Sequence, residues 1–253
     1  MSEKQTPALT PQQKQLTVER RSPLTLYKEI AVGAEAGFLH FLSYELKTFL
    51  FGNLYGALGF GARALFYPSL FAKAKSGIAF GRSLVLRNSK KISLGAKILL
   101  DDFVALDARG EGAFIEIGDF ASIGRFSTIA AKGGSIKLGS GVNIGSYCRI
   151  ATNTKIEIAE SVLVAAYCYI GPGNHQLGGD SETPLIARPM ELKGGVKIGA
   201  RSWIGAHATI LDGVTIGEGS IIGAHSLVKD NIPAGCLAAG TPAKVIRKIS
   251  EKA

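Results

Sequence analysis

Few side chains of this 253-residue chain could move protons near neutral pH, and their spacing is uneven. His175 lies in "YCYIGPGNHQLGG", Tyr167 to Gly179. On both sides of that stretch an aliphatic residue returns every six positions; the beat stops at Ile170 and resumes at Ile198. An imidazole of ordinary basicity can take a proton from a hydroxyl at neutral pH. Placed in a long excursion from a rigid repeat, it could reach across a groove toward a neighbouring subunit. Asn174 beside it either orients the ring or shapes the turn. His207 and His225 are 18 apart, so they share a position in successive turns of the repeat. Asp101/Asp102 and Asp180/Glu182 read as turn and loop acids, of which a loop acid could assist His175. Cys148, Cys168 and Cys236 show no ligand spacing and make an odd number, so the chain reads as reduced, intracellular and free of disulfides.

The elements that must position His175 follow from the same beat. Leu94, Leu100, Leu106; Ile117, Ile123, Ile129; Leu138, Ile144, Ile150; and Ile158, Val164, Ile170 recur in triplets. Ile198, Ile204, Ile210, Ile216, Ile222 and Val228 continue without a break. Ser202, Ala208, Val214, Ser220 and Ser226 hold a second register, and Gly follows the aliphatic residue at Gly199, Gly205, Gly217 and Gly223. A helical period near 3.6 cannot give a strict six. Three hexads make one coil of a triangular prism, each supplying a short strand and a corner. The aliphatic residue fills the interior, and the glycine is expected to give the corner its tight backbone. The 32 glycines and 8% aromatic residues suit such a repeat. A parallel β-helix of about six to seven coils is therefore expected over residues 76 to 232, with capped ends.

Residues 1–21 are polar and read as a disordered arm without a signal peptide. Residues 22–75 read as an amphipathic helical segment, and 76–253 as the β-helix domain with a loop at 171–195 and a C-terminal tail. The longest uncharged run in the helical segment, Thr48 to Ala62, is too short and Gly-rich to span a bilayer. It fits helices lying at a membrane interface, or capping the solenoid or a neighbouring subunit. The net charge is +9, and Lys47, Arg63, Lys73, Lys75, Arg82, Arg87, Lys90, Lys91 and Lys97 follow one another with no acidic residue among them. That placement points to an anionic partner through residues 22–97, such as phospholipid or a phosphate-bearing substrate. Nucleic acid is set aside, because no aromatic-interleaved basic face or known motif accompanies the charge.

The pattern resembles the hexapeptide-repeat acyltransferase superfamily, whose fold is a left-handed β-helix. It is closest to the maltose, galactoside and polysaccharide O-acetyltransferase branch. The residues that carry the likeness are the "NH" in the loop, Trp203 in "SWIGA" and the closing "AAGTPAKVIRKI". The resemblance implies a homotrimer with sites between subunits, acetyl-CoA as donor and His175 with Asn174 at the catalytic position. It further implies a donor groove lined by Trp203, Gly205, Ala206, Gly223 and Ala224, with Lys229, Lys244 and Arg247 facing the phosphates. Where the sugar acetyltransferases place an acceptor-contacting Asn, this chain has Tyr147, so that contact is not carried over. No metal is expected: the zinc class built on this fold places two ligands five apart, and no such pair occurs here. The expected protein is a cytoplasmic acetyl-CoA-dependent O-acetyltransferase of a sugar or lipid-linked polysaccharide precursor, which its basic, apolar N-terminal segment could hold on the inner face of the membrane. A small-molecule N- or O-acetyltransferase and a catalytically silent β-helix scaffold are the alternatives.

Overall fold

The computed structural model describes residues 22–171, 176 and 184–249. The aliphatic beat produces what it predicts: three parallel sheets wound into a β-helix of about seven turns. The first sheet runs from Lys73–Ala74 to Thr215–Ile216, the second from Ala79–Phe80 through Ile221–Ile222, and the third from Val85–Arg87 to Leu227–Val228. Leu94, Ile117, Leu138, Ile158, Ile198 and Ile216 stand in one register across the first sheet. Every residue of the triplets is buried. Removing such side chains from water stabilises the fold by roughly 1.5–3 kcal/mol each.

The second register is interior too, and its polar members are satisfied. Ser127 Oγ donates to the Gly145 carbonyl at 2.8 Å, and Ser220 Oγ to Pro233 at 2.8 Å. Cys148 and Cys168 occupy the place of Ser127 on later coils. Their buried thiols donate to the Ala165 and Gly205 carbonyls, each at 3.1 Å. They are small core residues linking coil to coil.

The glycines have a different reason from the expected one. Gly205 does not adopt a positive φ; a Cβ there would come within 2.6 Å of the Ala224 nitrogen on the next coil. The glycine is needed because the neighbouring backbone leaves no room. The left-handed corner belongs to the residue two places on, where His207 has φ 59°. Gly205→Ala should therefore destabilise the solenoid by about 1–3 kcal/mol, as overpacking does. An unchanged melting curve would show that the coil can give.

Among the described residues three α-helices precede the prism: α1 (Pro23–Val32), α2 (Phe38–Phe51) and α3 (Gly56–Phe66). Ser22 caps α1, its Oγ accepting from the Thr25 amide, with Pro23 opening the first turn. The helices close the open end of the first coil. Tyr44 donates to the Leu86 carbonyl at 2.8 Å, while Tyr67 meets Phe80 edge-on and Phe71 stacks on it, each at 5.7 Å. Arg63 is buried, and its guanidinium donates to the carbonyls of Phe80, Phe51 and Leu54 at 3.0, 3.0 and 2.8 Å. The other end is closed by an antiparallel hairpin, Cys236–Gly240 with Ala243–Lys248, built from the "AAGTPAKVIRK" tail.

Candidate functional site

The long interruption of the beat is an excursion from the third sheet. The chain leaves after Tyr169–Ile170 and returns at Val196–Ile198, yet the coils close across it. Ile158 pairs with Ile198, Val164 with Ile204 and Ile170 with Ile210. The base of the excursion is tied where the Gln176 amide donates to the Pro189 carbonyl at 3.0 Å. Its return is held by buried Asp212, which accepts from the Lys193 and Gly195 amides, the latter at 2.7 Å. Asp212 carries no sequence signature beyond its closeness to the repeat. His175, Asn174 and the loop acids Asp180 and Glu182 lie outside the described residues.

Trp203 projects outward from the second sheet, about half exposed. Its neighbours in the same column are Leu163 on one side, then Ile221 and Leu237 on the other, and Leu237 pairs with Arg247 of the tail. An apolar strip thus ends at a cation about 14 Å from Trp203, three strand spacings away. Gly205 is buried beneath this strip, Ala206 and Gly223 are half-buried at the following corner, and Ala224 is exposed. Lys229 and Lys244 do not stand as two free cations. Both approach Asp230, at 3.8 and 3.6 Å, so the three side chains together carry one net positive charge.

Tyr147 has a role that its position alone did not show. At the corner between the second and third sheets, Phe103, Phe126, Tyr147, Tyr167, His207 and His225 form one continuous stack. Centroid spacings are 4.6 to 5.0 Å and the rings are within 16° of parallel. Each is the third residue after the coil's second-sheet aliphatic, and each has φ between 56° and 62°. A left-handed conformation costs an L-residue roughly 1–2 kcal/mol, and a stacked ring pair returns about 0.5–1.5 kcal/mol. The Arg82 guanidinium lies 4.9 Å from Phe103 at the far end, and Arg82 is itself paired with Asp102 at 3.1 Å. The histidine ladder is therefore the end of an aromatic one. Among the described residues no group of three His, Cys, Asp or Glu side chains is placed to hold a metal ion.

An open groove of about 800 Å³ lies along the first sheet, away from Trp203. Its outward side chains are largely paired charges, among them Glu116–Lys137 at 3.2 Å. Its paired charges and its opening to solvent make it a poor place for a reaction that must exclude water.

A prism of hexads whose coils close around a side loop defines a hexad-built parallel β-helix. Residues 195–230 match the bacterial transferase hexapeptide family (six repeats). The chain is 39% identical over 98 residues to "Probable acetyltransferase Rv3034c" of Mycobacterium tuberculosis. That match covers 39% of this chain and 32% of the relative, so the chain spans about a third of the relative's length. Among solved structures it resembles AntD, an N-acyltransferase from Bacillus cereus in complex with dTDP and coenzyme A. The TM-score is 0.51 and the identity 18%, over 78% of this chain and 92% of that one. It also resembles the polySia-specific acetyltransferase NeuO, with TM-score 0.51 and 22% identity, over 70% of this chain and 83% of that one. These two likenesses are of fold.

Proposed function

We propose that the protein is an acetyl-CoA-dependent O-acetyltransferase acting on a hydroxyl of a sugar or of a lipid-linked or polysaccharide precursor. The observation that carries this reading is the outward strip Leu163, Trp203, Ile221, Leu237 ending at Arg247. A donor with a slender pantetheine arm and an anionic nucleotide end has the same order of apolar and charged parts. Lys229 and Lys244, sharing Asp230, add one further positive charge near that end. The 39% identity to a protein described as a probable acetyltransferase supports acetyl as the group moved.

In this reading His175 takes the hydroxyl proton as the acceptor oxygen attacks the thioester carbonyl. The carbon–sulfur bond breaks, and the thiolate leaves to be protonated as free coenzyme A. No covalent enzyme intermediate is needed, since a base and two positioned substrates suffice. Asn174 orients the imidazole. The assembly is a homotrimer with sites between subunits, a closed cyclic arrangement. The protein is cytoplasmic and sits peripherally on the inner face of the membrane, where a lipid-linked acceptor would be met.

Calorimetric titration of acetyl-CoA into the full chain tests the donor site, with dephospho-acetyl-CoA as comparison. Saturable binding near one per chain, weakened by removal of the phosphate and by Trp203→Ala, is expected. No binding at millimolar acetyl-CoA would sink the reading and favour a catalytically silent scaffold.

A further inference from the structure

The helices that cap the prism carry more apolar surface than they bury. Leu39, Phe49 and Leu58 are 80%, 83% and 82% exposed, and Phe38, Leu46 and Leu65 are also open to solvent. At 100° per residue, Phe38, Leu39, Leu42, Leu46, Phe49 and Leu50 of α2 fall within one sector of about 120°. The opposite side of the helix, with Tyr44 and Phe51, is the one that meets the rest of the molecule. On α3, Gly59 and Arg63 turn inward, while Leu58, Gly61 and Leu65 continue the open surface. Soluble monomers rarely leave so contiguous an apolar face uncovered.

One border of that face is cationic; the other carries Glu45, which accepts from the Tyr27 hydroxyl at 2.7 Å. Ser43, Lys47 and His40 occupy the next sector of α2. Lys47 Nζ donates to the Ser43 and Ser69 hydroxyls, each at 2.9 Å, and Lys90 Nζ to the Ser69 and Phe71 carbonyls at 3.0 and 3.1 Å. No carboxylate among the described residues pairs with either lysine. His40 Nε2 is buried without a hydrogen-bond partner. Burial, then Lys90 and Lys47, push its pKa down, which keeps the ring neutral between two ammonium groups.

We propose that the outward face of α2 and α3 docks in the headgroup region of an anionic phospholipid bilayer. Lys47 and Lys90 face the lipid phosphates, and Leu39, Phe49 and Leu58 enter the acyl boundary. This specifies the peripheral-membrane part of the reading above and rests on it. Charge decides between a bilayer and a second copy of the chain. Lys47 and Lys90 border the face with no carboxylate partner among the described residues, so a copy of the same surface would bring ammonium groups together, whereas an anionic leaflet complements them. Length decides between lying flat and spanning. The 14 residues of α2 reach about 21 Å, short of the roughly 30 Å hydrocarbon core. No described helix is long and apolar enough to cross a membrane.

The test is co-sedimentation of the full chain with phosphatidylcholine vesicles and with vesicles containing phosphatidylglycerol. A variant combining Leu39→Glu, Phe49→Glu and Leu58→Glu is run beside it. Because these side chains are four-fifths exposed, the variant should keep its melting temperature. Preferential binding of the parent chain to the anionic vesicles, at least about tenfold weaker in the variant at unchanged oligomeric mass, is expected. Equal partitioning into both vesicle types, or equal binding by parent and variant, would overturn the proposal. So would a change of mass in the variant with vesicle binding intact, which would make this face a contact between subunits. Acetyl-CoA titration of the same two proteins separates the readings. Loss of donor binding in the parent chain would remove the acetyltransferase and leave the vesicle result standing.

Discussion

His175→Ala should reduce acetyl transfer by roughly a hundred- to ten-thousand-fold while leaving acetyl-CoA affinity within about twofold of the parent. The asymmetry comes from the positions involved. The strip proposed for the donor is built on strands of the second sheet, whereas His175 lies in the 171–195 excursion, and the coil pairing on both sides does not depend on it. A base needed only as the hydroxyl attacks lowers kcat and kcat/KM together when removed. Transfer assays with a panel of sugar acceptors, run alongside the titration, read both quantities. Transfer at the parent rate would show that another group takes the proton. Loss of transfer and donor binding together would show that the histidine shapes the groove.

Arg63→Met should cost about 3 kcal/mol of stability, the largest effect of any single change in the helical cap. The guanidinium joins three carbonyls that belong to different parts of the molecule: Phe51 at the end of α2, Leu54 in the turn beyond it and Phe80 in the first coil. Methionine fills a similar volume but leaves those acceptors buried and unpaired. Burial is the first influence on Arg63 and pulls its pKa down, opposed by the fields of Tyr67 and Asp102. A melting temperature lower by roughly 5–10 °C is expected, with earlier proteolysis between the helices and the prism. A melting curve like the parent's would show that packing of Tyr44, Tyr67 and Phe71 holds the cap unaided.

The hexads are legible because one interior position recurs with one chemistry. Ile117, Leu138, Ile158 and Ile198 are all aliphatic since each fills the same cross-section of the prism. The excursion is legible as silence in that rhythm. The ring stack is not, although it repeats as strictly. Phe103, Phe126, Tyr147, Tyr167, His207 and His225 differ in type, and extra residues between coils hide their alignment until the strands are paired. The glycines show how a correct placement can carry the wrong cause. Gly205 stands where a turn glycine was expected, but close approach of the next coil fixes its identity, while His207 supplies the left-handed turn. The basic tail was legible as charge and not as pairing, because Asp230, which joins Lys229 to Lys244, draws no notice in a sequence. The amphipathic character of residues 22–75 was plain in their composition. Which side stays open depends on contacts such as Tyr44 with the Leu86 carbonyl, which no periodicity encodes.

The stack of rings has a consequence for how variation can accumulate. Tyr167 and His207 touch at 4.8 Å although the whole excursion separates them in sequence. The pillar is continuous where the chain is not. The pairing of the coils on either side of the tie between Gln176 and Pro189 does not pass through that segment, so insertions, deletions and substitutions there leave the paired strands as they are. A change at a single rung meets a neighbour above and below. Variation of the excursion and preservation of the scaffold are thus separable heritable traits, drawn from different stretches of the same gene.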